Sequence, residues 1–275
     1  MTLSTIRNNP AKQKKVKTKK QKAIAATCAV AFWLLVWHVV SLCVGSELVL
    51  VSPVKVVQTL FTVLFDPDFL KTVWYSAARI LGGFFTALTL GTVLGWVASR
   101  FWVVETLLRP ITAVIKATPV ASFIILVLLW FSGKNLSVII SMLMVFPVIY
   151  MNVLEGIRST DEKLLEMAQV FRLSVGKKLL YIYLPAVAPF FVSACSVSLG
   201  LCWKSGIAAE VIGTPDGSIG AVFYQAKIFL QTSELLAWTV VVVAVSVAFE
   251  KLFMLLLRLV LKKLKMEDVL NGKRA

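Results

Sequence analysis

Residues 155–185 read EGIRSTDEKLLEMAQVFRLSVGKKLLYIYLP, and this polar stretch decides how the rest of the chain is interpreted. It interrupts a sequence of 275 residues in which 59% are hydrophobic. Soluble domains are typically about 45–50% apolar, so the bilayer is the expected solvent for most of this chain. A hydrophobic protein that keeps one long, charged, helix-forming loop on one side is expected to use that loop to contact a soluble partner.

Stretches of about 20 apolar residues are long enough to cross a bilayer. The sequence contains six such stretches, at roughly 23–44, 72–99, 106–131, 136–154, 186–207 and 235–260. Pro110, Lys116 and Pro119 interrupt the third, which is therefore either one span or an interfacial helix followed by a shorter span. Residues 53–65, between the first two spans, have the pattern of an amphipathic helix.

These features predict an all-α, polytopic membrane protein with about six spanning helices. Its domain organisation is expected to be a basic tail at 1–22, one transmembrane domain at 23–265 and a short C-terminal tail at 266–275.

The distribution of charge orients the spans. If the N terminus is cytoplasmic, 23 of the 29 Lys and Arg residues fall on the cytoplasmic side or in the inner ends of spans, against 6 elsewhere. The inverted topology would reverse that ratio, and cytoplasmic segments are the basic ones. We therefore expect a multi-pass membrane protein with both termini in the cytoplasm. A nucleic-acid-binding arm is the alternative for the eight basic residues of the tail, but a topology anchor explains them more simply, so no nucleic acid partner is expected.

The second span carries small residues at every fourth position: Gly83, Ala87, Gly91, Gly95 and Ser99. Small residues at this spacing form a groove that lets another helix approach closely. The alternative is the general tolerance of membrane helices for glycine. The sequence does not say whether the partner helix belongs to this chain or to a second subunit.

The polar stretch has the start signals of a helix. Thr160 is the expected N-cap of a helix that begins at Asp161, and Asp161 and Glu162 fall in the first turn, where the helix dipole favours acids. The apolar residues that follow at helical spacing are Leu164, Leu165, Ala168 and Phe171. A break at 174–176 precedes a second short helix that leads to Pro185.

Two interpretations of this helix compete. It is either an amphipathic helix on the inner leaflet or a docking helix for another protein. A docking helix is favoured because its polar side mixes acids with bases, whereas a lipid-surface helix is usually basic.

The stretch resembles the cytoplasmic "EAA" loop of ABC importer permeases, whose pattern is E-A-A, a glycine six residues after the Glu, then a hydrophobic residue and L-P. The residues that match in register are Glu166, Ala168, Ile182, Leu184 and Pro185. Met167 replaces the first alanine, and Arg172 stands where the family usually has glycine.

Other segments resemble the permeases of nitrate, taurine, aliphatic sulfonate and thiamine-precursor importers. These segments are 78–84, 129–131, 146–148, 155–158 and 208–210, and the resemblance covers about residues 52 to 261. It implies the transmembrane domain of a type I ABC importer. Two permease copies, expected to form a homodimer, would enclose the pathway, an ATPase dimer would bind ATP and Mg beneath them, and an extracytoplasmic substrate-binding protein would dock outside.

The chain has no G-x-x-x-x-G-K-[ST] phosphate loop, so we expect no catalytic residues and no cofactor in it, and ATP hydrolysis in a partner. The loop at 155–184 would then receive the mechanical work. The residues expected to couple to the ATPase are Asp161, Glu162, Leu165, Glu166, Ala168, Phe171 and Pro185. Glu166 would fix the loop by capping or pairing, and Ala168 would permit close approach.

Ionisable groups inside the membrane usually face the bundle interior or water. The residues expected to line the substrate pathway are Trp203, Lys204, Ser205 and Glu210. Lys204 either attracts an anionic substrate or extends to the interface. The turn-rich segment 213–220 is either a docking surface for the binding protein or a re-entrant connection.

The alternative classes are an ion-coupled secondary transporter and a membrane enzyme. An ion-coupled secondary transporter would need acids in mid-membrane and often an inverted repeat. Glu250 is expected near the inner end of the last span, and the other acids cluster in loops. A membrane enzyme would need a nucleophile–base pair or a metal cluster, but the chain has one histidine and four cysteines without zinc spacing, so no metal site is expected.

Overall fold

The structure of the protein, a computed structural model, describes residues 19–264, and all the regular elements in that range are helical. The helices are α1 (Lys19–Val44), α2 (Pro53–Leu64), α3 (Phe69–Arg100), α4 (Trp102–Ala117), α5 (Val120–Leu128), α6 (Gly133–Arg158), α7 (Glu162–Val170), α8 (Val175–Lys178), α9 (Leu184–Gly213), α10 (Ile219–Ile228) and α11 (Thr232–Lys263). A π-helical turn, Leu179–Tyr183, joins α8 to α9. The predicted all-α fold is confirmed. The C-terminal tail and residues 1–18 of the N-terminal tail lie outside the described range.

The chain divides into two compact units, Met1–Lys55 and Val56–Ala275. In the first unit α1 ends at Val44 and the chain turns at Gly45, whose φ of +63° favours glycine. The Ser41 hydroxyl donates a hydrogen bond to the Leu50 carbonyl oxygen (3.2 Å) across this turn. The second unit contains α3 to α11 and all the residues predicted to be functional.

Five of the described helical stretches are long and apolar enough to cross a membrane: α1, α3, α6, α8 to α9 taken together, and α11. The pair α4 and α5 has the composition of a sixth span but is bent by 106°. The break falls at Thr118, which is extended (φ −79°, ψ 132°) because the following Pro119 disfavours a helical conformation in the residue before it. The third predicted span is therefore a pair of helices bent at Thr118, close to the Pro119 that the sequence marked as an interruption.

Helices α3 and α6 pack face to face and run in the same direction. A Cβ on Gly83 would come within 2.8 Å of the Ser141 Cβ, and one on Gly95 within 3.0 Å of Val153. Four of the five small residues in the stripe on α3 are buried, namely Gly83, Ala87, Gly91 and Gly95, and Ser99 is half-buried. The groove that these residues form is thus occupied by a helix of the same chain.

Helix α9 runs antiparallel to both. Gly156 near the end of α6 lies against Val187 near the start of α9, where an added Cβ would be 3.0 Å from the Val187 Cα. Further along, Gly206 lies against Ser141, where an added Cβ would be 2.7 Å from the Ser141 hydroxyl oxygen. Helix α11 is antiparallel to α9 in turn, because its last turn packs Leu261 on Ala188 near the start of α9.

These directions fix the path of the broken pair. Because α3 and α6 are parallel, residues 101–132 must return across the full depth of the bundle, so α4 and α5 together make a crossing. The second unit therefore crosses five times, and α1 supplies a sixth candidate span. We call the face of the second unit that carries residues 159–183 the loop face, and the face where α6 begins and α9 ends the opposite face.

Candidate functional site

At the loop face, α6 and α9 are connected by the short helices α7 and α8. Helix α7 begins at Glu162 because Asp161 caps it: the Asp161 Oδ1 accepts a hydrogen bond from the Lys163 N–H (2.9 Å). The expectation that Thr160 is the cap was wrong by one residue. Thr160 is buried instead, and its hydroxyl has no hydrogen-bond partner among residues 19–264. Both residue types cap helices well, so the pattern alone does not separate two adjacent candidates.

Helix α7 ends in a left-handed cap. Arg172 has a φ of 51°, the Leu173 N–H donates to the Ala168 carbonyl oxygen (2.9 Å), and the Phe171 N–H donates to that of Met167 (3.0 Å). Glycine is favoured at such a position, because it carries no Cβ. The turn of the EAA-like pattern is therefore present although Arg172 replaces the usual glycine.

The two sides of α7 have different surroundings. Ala168 is fully buried and Leu165 is half-buried, so this side seats the helix against the rest of the chain. Phe171, in contrast, is 72% exposed. The exposed apolar side chains between residues 162 and 175 are Leu164, Met167, Val170, Phe171 and Val175. A group of exposed apolar side chains of this kind is typical of a site that binds another protein.

Glu166 is exposed on α7 and makes no hydrogen bond or ion pair with any residue in the range 19–264. Glu162 is exposed as well, in the first turn of the helix as predicted. The described part of the chain thus offers no partner for the capping or pairing role expected of Glu166.

The loop is joined to the membrane helices without a flexible linker. Residues Val175–Gly213 form one helical stretch of 39 residues that includes the π-helical turn. Tyr183 in this turn meets Trp96 near the end of α3, edge to face, with ring centroids 5.4 Å apart. Pro185 lies in the first turn of α9, where a missing N–H is tolerated. Helix α8 is therefore continuous with α9, whereas α7 precedes it across the turn at 171–174.

A second feature of the loop face escaped sequence reasoning. The Arg158 guanidinium at the end of α6 forms an ion pair with the Glu105 carboxylate of α4. Both side chains border a cleft of about 370 Å³, together with Arg109 and Tyr150. The ion pair connects α4, the first helix of the bent pair, to the last residue of α6, after which the loop begins. Its members lie 53 residues apart, and no local pattern connects them.

At the opposite face, a buried carboxyl group joins three helices. Glu210 of α9 is fully buried, and its Oε2 accepts hydrogen bonds from the Ser76 hydroxyl of α3 (2.6 Å) and the Gly220 N–H of α10 (3.3 Å). The Ser76 Oγ also accepts a hydrogen bond from the Ile219 N–H (2.9 Å). We call Ser76, Glu210, Ile219 and Gly220 the Glu210 cluster. The segment before it, 214–218, turns at Thr214 with φ 40° and leads directly into α10.

The surroundings of the Glu210 cluster are tightly packed. A Cβ on Gly220 would overlap the backbone of Glu210. Nearby, the Arg79 guanidinium donates hydrogen bonds to the Lys134 carbonyl oxygen at the start of α6 and to the Tyr75 hydroxyl (2.8 Å). These contacts hold the outer turns of α3, α6, α9 and α10 together at the opposite face.

The four residues predicted to line the substrate pathway do not converge within this chain. Trp203 and Ser205 are buried, and the Ser205 hydroxyl donates to the Leu201 carbonyl oxygen (2.9 Å). Lys204 is exposed, whereas Glu210 is enclosed in its own cluster. Helix α9 stays regular through this region, so residues six apart lie on different faces.

Glu250 lies deeper than expected. The last span is longer than 235–260, because α11 runs from Thr232 to Lys263 over 32 residues. The Ser196 hydroxyl of α9 donates a hydrogen bond to the Glu250 Oε1 (3.1 Å). Ser196 is near the midpoint of α9, so this contact, and not the length of α11, places Glu250 nearer the middle of the bundle than the inner end predicted for it.

Comparison with known proteins finds similarity to one family along most of the chain. Residues 87–266 match the family described as binding-protein-dependent transport system inner membrane component. A provisionally named aliphatic sulfonates transport permease protein of Bacillus subtilis, SsuC, is 29% identical over 232 residues, covering 83% of each chain. The taurine transport system permease protein TauC of Escherichia coli is 27% identical over 78% of this chain and 80% of its own length. The nitrate import permease protein NrtB of a Synechocystis strain is 25% identical over 74% of this chain and 76% of its own.

Proposed function

The chain belongs to the family of binding-protein-dependent transport system inner membrane components, and from this we propose that it is coupled to a separate ATPase through the loop at 155–184. It is a multi-pass membrane protein whose named relatives are transport permeases. The observation that carries the proposal is the exposed apolar surface of α7 and α8 on a loop whose other side is seated by the buried Ala168.

Charge supports the orientation of this surface. The loop carries Lys177 and Lys178, and α11 ends at the same face with Lys262 and Lys263. Basic segments stay in the cytoplasm. The loop face is therefore the cytoplasmic side in this proposal, both termini lie in the cytoplasm, and the membrane is the bacterial inner membrane. A substrate-binding protein would dock at the opposite face, where the segment 213–220 lies.

The proposed mechanism is a rigid transfer of motion. ATP and Mg bind to the ATPase pair, and its closure draws together the α7 helices of two permease copies. The residues engaged would be those at the loop surface, Asp161, Glu162, Glu166 and Phe171. Because Val175–Gly213 is one helical stretch, the movement is delivered to α9 and changes the access of the pathway between the copies, which is a hinge-type transition.

The proposed substrate is a small sulfonate, taurine, nitrate or a thiamine precursor, in line with the relatives and with the resemblance of the sequence. Lys204 supports an anionic group in the substrate, since it is exposed on α9 nine residues before the helix ends at Gly213. At about 1.5 Å per residue this is roughly 13 Å from the helix end, a depth at which a charged side chain is expected to face water or the bundle interior. Trp203 and Ser205 position this turn of α9 by packing.

The first test compares Phe171→Ala with Trp74→Ala in the full chain, purified from native membranes into nanodiscs. Both side chains are highly exposed, at 72% and 75%, but they lie at the loop face and the opposite face respectively. We expect Phe171→Ala to lower the amount of co-purified ATPase and its ATP hydrolysis by about tenfold, as the loss of an interface anchor does. Trp74→Ala should leave both unchanged, and neither variant should unfold at a lower temperature.

The same assay separates two positions of the EAA-like pattern. Replacing the exposed Glu166 by a bulky residue should uncouple transport while membrane insertion stays intact. Replacing the buried Ala168 by Leu should also displace α7 from its seat, which faster proteolysis of the loop would report. The proposal fails if crosslinks from residues 161–171 reach only lipid. It also fails if uptake continues when nucleotide hydrolysis is blocked, as an ion-coupled transporter would behave.

A further inference from the structure

A cleft of about 330 Å³ opens between α9 and α11, away from the loop and from the Glu210 cluster. Its lining combines a hydroxyl, a carboxyl group, two cationic side chains and two apolar ones: Ser196, Glu250, Lys251, Met254, Leu255 and Arg258. Within residues 19–264, the polar contact between these groups is the hydrogen bond from the Ser196 hydroxyl to the Glu250 Oε1 (3.1 Å).

The cleft lies at half the depth of the bundle. Phe253, two residues after Lys251, packs edge to face on Phe84 of α3 with ring centroids 5.3 Å apart. Phe84 is at the midpoint of α3, which runs from residue 69 to residue 100. Ser196 is likewise near the midpoint of α9, which runs from residue 184 to residue 213. Contacts from three helices thus place Glu250 and Lys251 far from either membrane surface.

Charged groups at this depth need a polar environment. Among residues 19–264 neither Glu250 nor Lys251 has an ion-pair partner, and Lys251 is exposed. A Lys or Asp at the centre of a membrane helix costs about 2.5–3.5 kcal/mol when it faces lipid. Arg258 lies about 10 Å further along α11 from Lys251, at 1.5 Å per residue, and so forms the edge of the cleft nearest the loop face. The cleft is therefore expected to face water in the assembled transporter.

From this arrangement we propose that the cleft is an intramembrane binding site for a small zwitterionic solute, one with an ammonium group and an oxyanion group joined by a short aliphatic chain. Glu250, positioned by Ser196, accepts hydrogen bonds from the ammonium group. Lys251 and, at the edge, Arg258 bind the oxyanion. Met254 and Leu255 contact the aliphatic carbons between the two.

The charges of the cleft disfavour simpler solutes. A plain anion would meet Lys251 but would also lie beside the Glu250 carboxyl group, and a plain cation would lie beside two cationic side chains. Only a solute with both charges pairs each group with its opposite. The volume of about 330 Å³ suits a small molecule, as ligand pockets begin near 300 Å³. The inference rests on the proposed transport function and narrows its substrate class to amino-substituted sulfonates and related amino acids.

The test uses two probes that differ in one group, 2-aminoethanesulfonate and ethanesulfonate. Binding of each radiolabelled probe is measured to the full-length permease in its complex with the ATPase, in nanodiscs and without the substrate-binding protein. We expect the wild-type complex to bind the amino compound about tenfold more tightly. Glu250→Gln should remove this preference, and Lys251→Met should weaken the binding of both probes. Glu234→Gln, at the outer start of the same helix, should behave as wild type.

Three results would overturn the assignment. They are equal binding of both probes to the wild type, a preference that survives in Glu250→Gln, and loss of the assembled complex in Glu250→Gln, which would make the cleft an interface between copies. ATP hydrolysis by the same complex and its dependence on Phe171 are measured without any solute. A failure of the zwitterion site is therefore distinguishable from a failure of the proposed coupling.

Discussion

The loop at 159–183 and the Glu210 cluster lie at opposite ends of α9 and are built in opposite ways. The loop makes its cap hydrogen bonds within its own residues, such as Asp161 to Lys163, and leaves apolar side chains such as Phe171 exposed. The cluster is buried, and its hydrogen bonds connect α9 to other helices, as between Glu210 and Ser76. One end of α9 is thus fixed inside the chain, while the loop at the other end exposes apolar side chains. The proposed transmission of force through α9 would need both features.

The largest effect that this comparison predicts comes from removing the buried carboxyl group. Glu210→Ala leaves the Ser76 hydroxyl and the Gly220 N–H without their acceptor and creates a cavity at the junction of three helices. We expect the free energy of unfolding in mixed micelles to fall by about 3 kcal/mol, since each buried donor left without a partner costs about 1–3 kcal/mol. Glu210→Gln keeps one acceptor oxygen, so its free energy of unfolding should lie between those of the wild type and Glu210→Ala.

Lys204→Ala is the matched control for this change. Lys204 is on the same helix but exposed, so its removal should alter stability by no more than about 0.5 kcal/mol. If Glu210→Ala were as stable as Lys204→Ala but no longer transported substrate, the Glu210 cluster would act in the substrate pathway. It would then not be needed to hold α9 in place.

A second, smaller effect tests whether the close packing of α3 on α6 helps to hold the end of α9 that carries Glu210. Gly83 lies about two turns along α3 from Ser76, and a Cβ there would overlap the Val138 carbonyl oxygen and approach the Ser141 Cβ to 2.8 Å. Gly83→Ala should cost about 2 kcal/mol through overpacking, measured by the same unfolding assay. The neighbouring Gly82 has no atom within 4 Å of an added Cβ, so Gly82→Ala should be neutral or slightly stabilising. Equal losses in both variants would mean that α3 itself, and not its contact with α6, is sensitive.

The two regions also differ in how far the sequence predicts them. The loop could be located because its polarity, caps and helical spacing are local signals, and only the choice between Thr160 and Asp161 failed. The hydrogen bond between Ser76 and Glu210 joins residues 134 apart, and such a pairing depends on how helices are arranged in space. The same limit hid the partner of Glu250, because its contact with Ser196 requires the register of α11 on α9.

The smallest expected effect concerns the backbone of the loop. It tests whether the left-handed conformation of Arg172 weakens the end of α7. Arg172 adopts a left-handed conformation (φ 51°), which costs an ordinary residue about 1 kcal/mol relative to glycine because its Cβ approaches the carbonyl oxygen. Arg172→Gly should therefore stabilise the end of α7 by about that amount, and amide hydrogen exchange at Leu173 should slow by about fivefold. Arg172→Ala keeps the Cβ, so it should not slow this exchange. If both variants slowed it equally, the guanidinium group and not the backbone strain would be responsible.

Global unfolding should change in neither variant, because the helix bundle does not depend on this turn. An increase in ATPase coupling for Arg172→Gly alone would then show that the order of the loop limits how well the partner binds.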